Sequence, residues 1–106
     1  MAKPPESVRN TAARGLREWQ KWKDSGAETP ATRVGLIRAN QLAKGENISL
    51  RTINRMKSFL ERHAKNYDPG KRDTKGRLSK GTVSYLLWGG QSALTWVNRV
   101  LKQNED

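Results

Sequence analysis

The sequence predicts a small all-α domain of four to five helices, and three observations carry that reading. Apolar residues recur at intervals of three and four along most of the chain, and residues able to cap a helix precede those stretches. No second segment shows the period-two alternation that a partner strand requires. At 106 residues the chain has the size of one domain, so 1–106 is read as a single helical domain with one modest core. Only 34% of residues are hydrophobic, but four Trp, two Tyr and one Phe supply bulky bodies to fill that core.

The first helix is expected in SVRNTAARGLREWQKWKD, where Val8, Ala12, Leu16 and Trp19 share one face and Arg9, Arg14, Arg17, Lys21 and Lys23 fill the others. Ser7 is its expected cap after Pro4 and Pro5, and Gly15 is a possible kink, since Gly costs about 1 kcal/mol relative to Ala inside a helix. SGAETPAT reads as a loop. Thr32 then opens a second helix whose apolar stripe is expected to comprise Val34, Leu36, Ile37, Ala39, Leu42 and Ala43, ending at Gly45 or Asn47. Ser49 stands where the third helix, about 49 to 65, needs its cap, and Leu50, Ile53, Met56, Leu60 and Ala64 follow at helical spacing. From 66 to 78 the run NYDPGKRDTKGRL predicts a basic, mobile surface loop. Ser79 or Thr82 begins a short helix through VSYLLW, Gly89 and Gly90 stop it, and Ser92 is expected to cap a last helix bearing Ala93, Trp96, Val97, Val100 and Leu101.

The most informative spacing is QLAKGENISLRTINRMKSFL, which predicts a helix-turn-helix-like pair over about 36–65. Ala43 supplies the small residue, Asn47 takes the positive φ of the turn, Ile48 plugs the corner, and Ile53 points back at Ala43. With Ile53 and Met56 turned inward, Ser49, Arg51, Thr52, Asn54, Arg55 and Ser58 face outward, and these residue types hydrogen-bond bases or phosphates. Arg51, Asn54 and Arg55 are the foremost candidates. The alternative is an ordinary helical corner with a solvated outer side.

A formal charge of +11, from 21 Lys and Arg against 10 Asp and Glu, calls for an anionic partner. Nucleic acid is the commonest, and double-stranded DNA is the expectation, with RNA or single strands and an acidic protein as the other candidates. In the loop, Lys71, Arg72, Lys75 and Arg77, with Lys80 beyond them, are expected to hold phosphates, and the basic first helix offers a further grip or a merely solvated face. The tryptophans are expected mainly in the core, with Trp22 the most exposed, and His63 is expected to complement the dipole at the end of the third helix.

With no cysteine there are no disulfides and no zinc–thiolate site. One histidine, no phosphate-cradling glycine motif and no close carboxylate pair assemble no familiar catalytic constellation, so the expectation is a non-enzyme without cofactor or metal. No apolar run reaches the length of about 18 residues that suggests a membrane span, and MAKPPES lacks a signal peptide's apolar stretch, so a soluble, cytosolic chain is expected.

The runs RGL at Arg14 to Leu16, Val34–Gly35, RANQLAKGENIS from Arg38 to Ser49, TINRMKSFLERH from Thr52 to His63, and LLWGG with the later Trp96 span most of the chain. Together they resemble a short module of tailed-bacteriophage proteins. Where that pattern has Asp-Ala-Gly after LLWGG, this chain has Gln91 to Leu94 and so no acidic residue there. The resemblance implies a phage protein in the cytoplasm of an infected bacterial host, or in the virion, placed near phage DNA or near the head. It implies no activity. The reading that follows is a phage-encoded, double-stranded-DNA-binding protein; the alternative is a structural or interaction module docking on an acidic phage head component or host protein.

Overall fold

The computed structural model describes residues 1 to 104, and the last two residues of the single-domain reading lie outside it. Five α-helices follow one another: α1 (Glu6–Asp24), α2 (Arg33–Ala43), α3 (Leu50–His63), α4 (Lys80–Leu87) and α5 (Gly90–Gln103). A single 3-10 turn, Ala64–Asn66, extends α3. Among the described residues there is no strand, only two isolated antiparallel bridges, Ala2 with Ile48 and Arg72 with Leu78.

The expected apolar spacings build the core. Val8 and Ala12 of α1, Leu42 of α2, Ile53, Met56 and Leu60 of α3, Val83 and Leu87 of α4, and Val97 of α5 are fully buried together. Each large aliphatic side chain so buried contributes about 1.5–3 kcal/mol. VSYLLW is helical as expected, because Val83, Tyr85, Leu86, Leu87 and Trp88 all enter this core. Helix α1 runs through the centre, packing on α2, α4 and α5, while α3 lies on α5. Helices α2 and α3 make few direct contacts, and the pair is held through the shared core.

The caps at Thr32, Ser49 and Ser79 are as expected: each hydroxyl accepts from the backbone N–H three residues on, at 3.4, 3.2 and 3.2 Å. Two expected caps are corrected. Pro5, in extended conformation, precedes α1 without a side-chain cap, so Ser7 lies inside the first turn. Gly89 precedes α5 at φ 98°, a value that glycine alone takes easily, and Ser92 instead bonds back to the Gly89 carbonyl at 2.8 Å. At the α2–α3 corner the positive φ of 71° falls on Gly45, not on Asn47, because the chain reverses immediately after the last turn of α2. Ile48 plugs the corner as expected, buried and paired with Ala2 through two backbone hydrogen bonds of 2.7 and 2.8 Å.

Gly15 does not kink α1. It is the point where α4 approaches most closely: a Cβ at Gly15 would sit 2.7 Å from the Leu87 nitrogen and 2.9 Å from the Leu86 carbonyl carbon. On α2 the expected stripe is rotated. Val34 and Ile37 are 53% and 47% exposed, while Arg38 is buried, because Gly35, Ala39 and Leu42 are the residues that meet α1 and α4.

Candidate nucleic-acid interface

The outward face of α3 is set by its inward one. With Ile53, Met56 and Leu60 in the core, Arg51, Asn54, Arg55, Ser58 and Arg62 stand on the exposed side, at the spacings that align residues along a helix. None of the three arginines has a carboxylate within ion-pairing distance among the described residues. Arg62 extends the stripe by two turns beyond Arg55; its alignment with Arg51 and Arg55 is readable from the spacing, but sequence reasoning misses it because it sits in the mixed-charge run ERH. The other candidates on this helix are partly engaged. Ser49 and Thr52 bond to one another at the cap, 3.1 Å between hydroxyls, and the Asn54 amide donates to the Leu50 carbonyl at 3.1 Å.

The 66–78 segment is a docked hairpin where composition predicts a mobile arm. Asp73 organises it: its Oδ1 accepts the backbone N–H groups of Lys75 and Arg77 at 2.9 and 2.8 Å, and its Oδ2 accepts from Arg77 Nε at 2.8 Å. These hydrogen bonds, led by the backbone of Arg77, hold the Asp73 carboxyl below its ordinary pKa. Arg77 then reaches α1, donating to Ser25 Oγ at 2.8 Å and lying over the Trp22 ring, whose indole N–H donates to the Leu78 carbonyl at 3.0 Å. Arg72 donates to the buried Glu18 carboxylate at 2.8 Å and to the Gly76 carbonyl at 2.8 Å. Burial alone would raise the Glu18 pKa, but hydrogen bonds from Arg72 and Lys21 and their charges outweigh it and lower it.

The four hairpin residues expected to hold phosphates thus divide into two kinds. Arg72 and Arg77 fasten the hairpin to α1, whereas Lys71 and Lys75 are exposed with no side-chain partner among the described residues. Trp22 is half-buried, with Arg77 and Lys80 over its ring at 3.9 and 5.2 Å from the centroid.

Two hollows link these regions. One of about 580 Å³ lies between the hairpin and the start of α4, with Lys65, Lys71, Arg72, Arg77 and Lys80 on its walls. A second, of about 420 Å³, is lined by Phe59, His63 and Trp88, and Asn66 and Lys80 border both. Phe59 is stacked between His63 and Trp88, with centroids 4.2 and 4.3 Å apart, and lies one turn beyond Arg55 on α3. His63 stands in the last turn of α3, as expected of a dipole-complementing residue. The two hollows therefore meet at Asn66 and Lys80, and Asp68 and Asp73 lie among the basic residues of the first. Only five of the 21 Lys and Arg side chains are ion-paired among the described residues.

No group of His, Cys, Asp or Glu among the described residues is arranged to hold a metal ion, and no helix there is long and apolar enough to cross a membrane. No family model, no curated protein and no solved structure matches the chain.

Proposed function

We propose that this chain is a nucleic-acid-binding protein, encoded by a bacteriophage, that engages double-stranded DNA with the outward face of α3 and steadies the duplex with Lys71 and Lys75 of the hairpin. One observation carries the reading: Arg51, Arg55 and Arg62 form an exposed row without carboxylate partners among the described residues, on a chain of charge +11. Such a row matches a phosphate backbone, because each neutralised phosphate releases condensed counterions. Arg51, Asn54 and Arg55 carry the groups able to reach base edges, and Ser49 and Thr52 serve the cap before the ligand.

The test is an electrophoretic shift with duplex DNA, single strands and RNA at several salt concentrations. A duplex complex that weakens steeply with salt is the expected result. Absence of any complex at low salt would overturn the reading.

A second reading rests on a different observation. Val34 and Ile37 expose apolar surface on α2 of a chain of charge +11, which suits docking on an acidic phage or host protein. Under this reading the chain leaves nucleic acid unshifted, and replacing Val34 and Ile37 by Ser removes the docking while preserving the fold.

A further inference from the structure

The two hollows beside the hairpin differ in chemistry. The smaller, of about 420 Å³, has Phe59, His63 and Trp88 on its wall, with the hydroxyl-bearing Thr32 and Ser84 among them. The rings form a column: Phe59 lies within 16° of parallel to Trp88 and within 23° of parallel to His63, and the Arg38 guanidinium sits over Trp88 at 5.5 Å. Phe59 and His63 are only half-buried. Ala31, on the same wall, holds a φ of 69°, a left-handed value that a residue with a Cβ takes at a cost, and strain of this kind gathers at ligand sites.

The larger hollow, of about 580 Å³, is charged: Lys65, Lys71, Arg72, Arg77 and Lys80 stand there against Asp68 and Asp73. Asp73 is occupied inside the hairpin by two backbone N–H groups and Arg77, and Arg72 is committed to Glu18. Lys65 and Lys71 have no carboxylate within ion-pairing distance among the described residues. Lys80 has only Glu28, at 3.9 Å and itself 91% exposed. Three lysines therefore remain against one carboxylate, Asp68, that is not ion-paired among the described residues.

Asn66 and Lys80 line both hollows. Asn66 packs on the bare Cα of Gly81, where an added Cβ would lie 3.0 Å from its own, so the turn after α3 is held against the start of α4 at this junction. We infer that the paired hollows bind one unpaired nucleotide, its base against the aromatic column, its phosphate among Lys65, Lys71 and Lys80, and Asn66 between the two. A nucleotide has this division of chemistry, planar and weakly polar at one end and anionic at the other. Each hollow falls in the range of about 300–1,000 Å³ usual for ligand pockets. Aromatic side chains take any base, and lysines hold a phosphate as point charges. The nucleotide is a free mononucleotide or the unpaired end of a strand; in the second case the site rests on the proposed function and deepens it by adding a strand-end contact to the α3 face.

The experiment uses the full chain, its Lys65→Ala, Lys80→Ala and Ser84→Leu variants, and Lys102→Ala as a control outside both hollows. Calorimetry measures the binding of adenosine monophosphate, adenosine and inorganic phosphate. Fluorescence anisotropy measures a blunt duplex and the same duplex with an unpaired 3′ nucleotide. A free-nucleotide site gives adenosine monophosphate an affinity about ten-fold above adenosine or phosphate, weakened about ten-fold by Lys80→Ala and by Ser84→Leu and unchanged by Lys102→Ala. A strand-end site gives the overhang duplex an affinity about ten-fold above the blunt one, a preference that Lys80→Ala and Ser84→Leu remove. Tight adenosine monophosphate binding without any duplex binding supports this site and sinks the α3 reading, so the two fail separately. Adenosine monophosphate bound no tighter than phosphate, together with equal affinities for the two duplexes, overturns the site, as do wild-type preferences in both variants. If Ser84→Leu unfolds, Lys65→Ala and Lys80→Ala decide.

Discussion

Arg77 sets its guanidinium 3.9 Å from the centre of the Trp22 ring, and through that contact the basic hairpin is joined to α1. The same side chain bonds Ser25 on the helix side and Asp73 on the hairpin side, so it is a clasp before it is a phosphate ligand. Arg77→Ala is expected to lower stability by about 1–2 kcal/mol, because the cation–π interaction and the Ser25 hydrogen bond both disappear. It should also alter Trp22 fluorescence, whereas Lys75→Ala should change neither.

The hairpin's acidic contacts give this docking a pH dependence. Glu18 and Asp73 both titrate lower in the folded chain than in the unfolded one. Their stabilisation is therefore complete above the ordinary carboxylate pKa of about 4 and is lost as pH falls through the lowered folded values. Thermal melts of the wild type and Glu18→Gln should differ at neutral pH and converge in acid. A gap that stays constant down to about pH 2.5 contradicts the contribution of Glu18.

Gly15 supplies a test of the α1–α4 contact. Replacing Gly by Ala inside a helix ordinarily stabilises by about 1 kcal/mol. Here the added methyl meets backbone atoms of Leu86 and Leu87, which cannot swing aside, so Gly15→Ala is expected to destabilise by about 1–3 kcal/mol net. Gly70→Ala, with nothing within 4 Å of the added carbon, is the neutral comparison. A Gly15→Ala melting point at or above the wild type would show that α4 does not pack at this point.

Much of the fold is legible in the sequence because helix periodicity and capping are local. Thr32, Ser49 and Ser79 announce their helices, and Ile53, Met56 and Leu60 define the inner side of α3. What escapes depends on contacts distant in sequence. The place of Gly15 is decided by α4, and the rotation of α2, with Val34 and Ile37 outward and Arg38 inward, by the helices on which α2 lies. The hairpin reads wrongly from composition because its residues are those of a mobile loop, while its order comes from Glu18, Trp22 and Ser25 of α1. The α3 candidates Arg51, Asn54 and Arg55 are accessible to sequence reasoning because one helix carries them all; the burial of Arg38 is not, since a charged residue is ordinarily assigned to the outside.

Reading and gripping should fail differently. Arg51→Ala and Asn54→Ala remove groups able to reach base edges, each good bidentate pair being worth about 1–3 kcal/mol of discrimination. They are expected to flatten preference among duplex sequences in competition binding. Lys71→Ala and Lys75→Ala should weaken all duplexes alike, with the salt slope reduced by roughly one unit for each phosphate no longer neutralised.

The central claim is that the arginine row of α3 engages duplex DNA, and the most direct measurement is the salt dependence of duplex affinity for the wild type and for the Arg51→Ala, Arg55→Ala, Arg62→Ala triple variant. Circular dichroism checks that the variant keeps its helices. The account predicts a log–log slope of about −0.9 per phosphate in the wild type and a slope shallower by about two to three units in the variant. Equal slopes and equal affinities in the two proteins would contradict it.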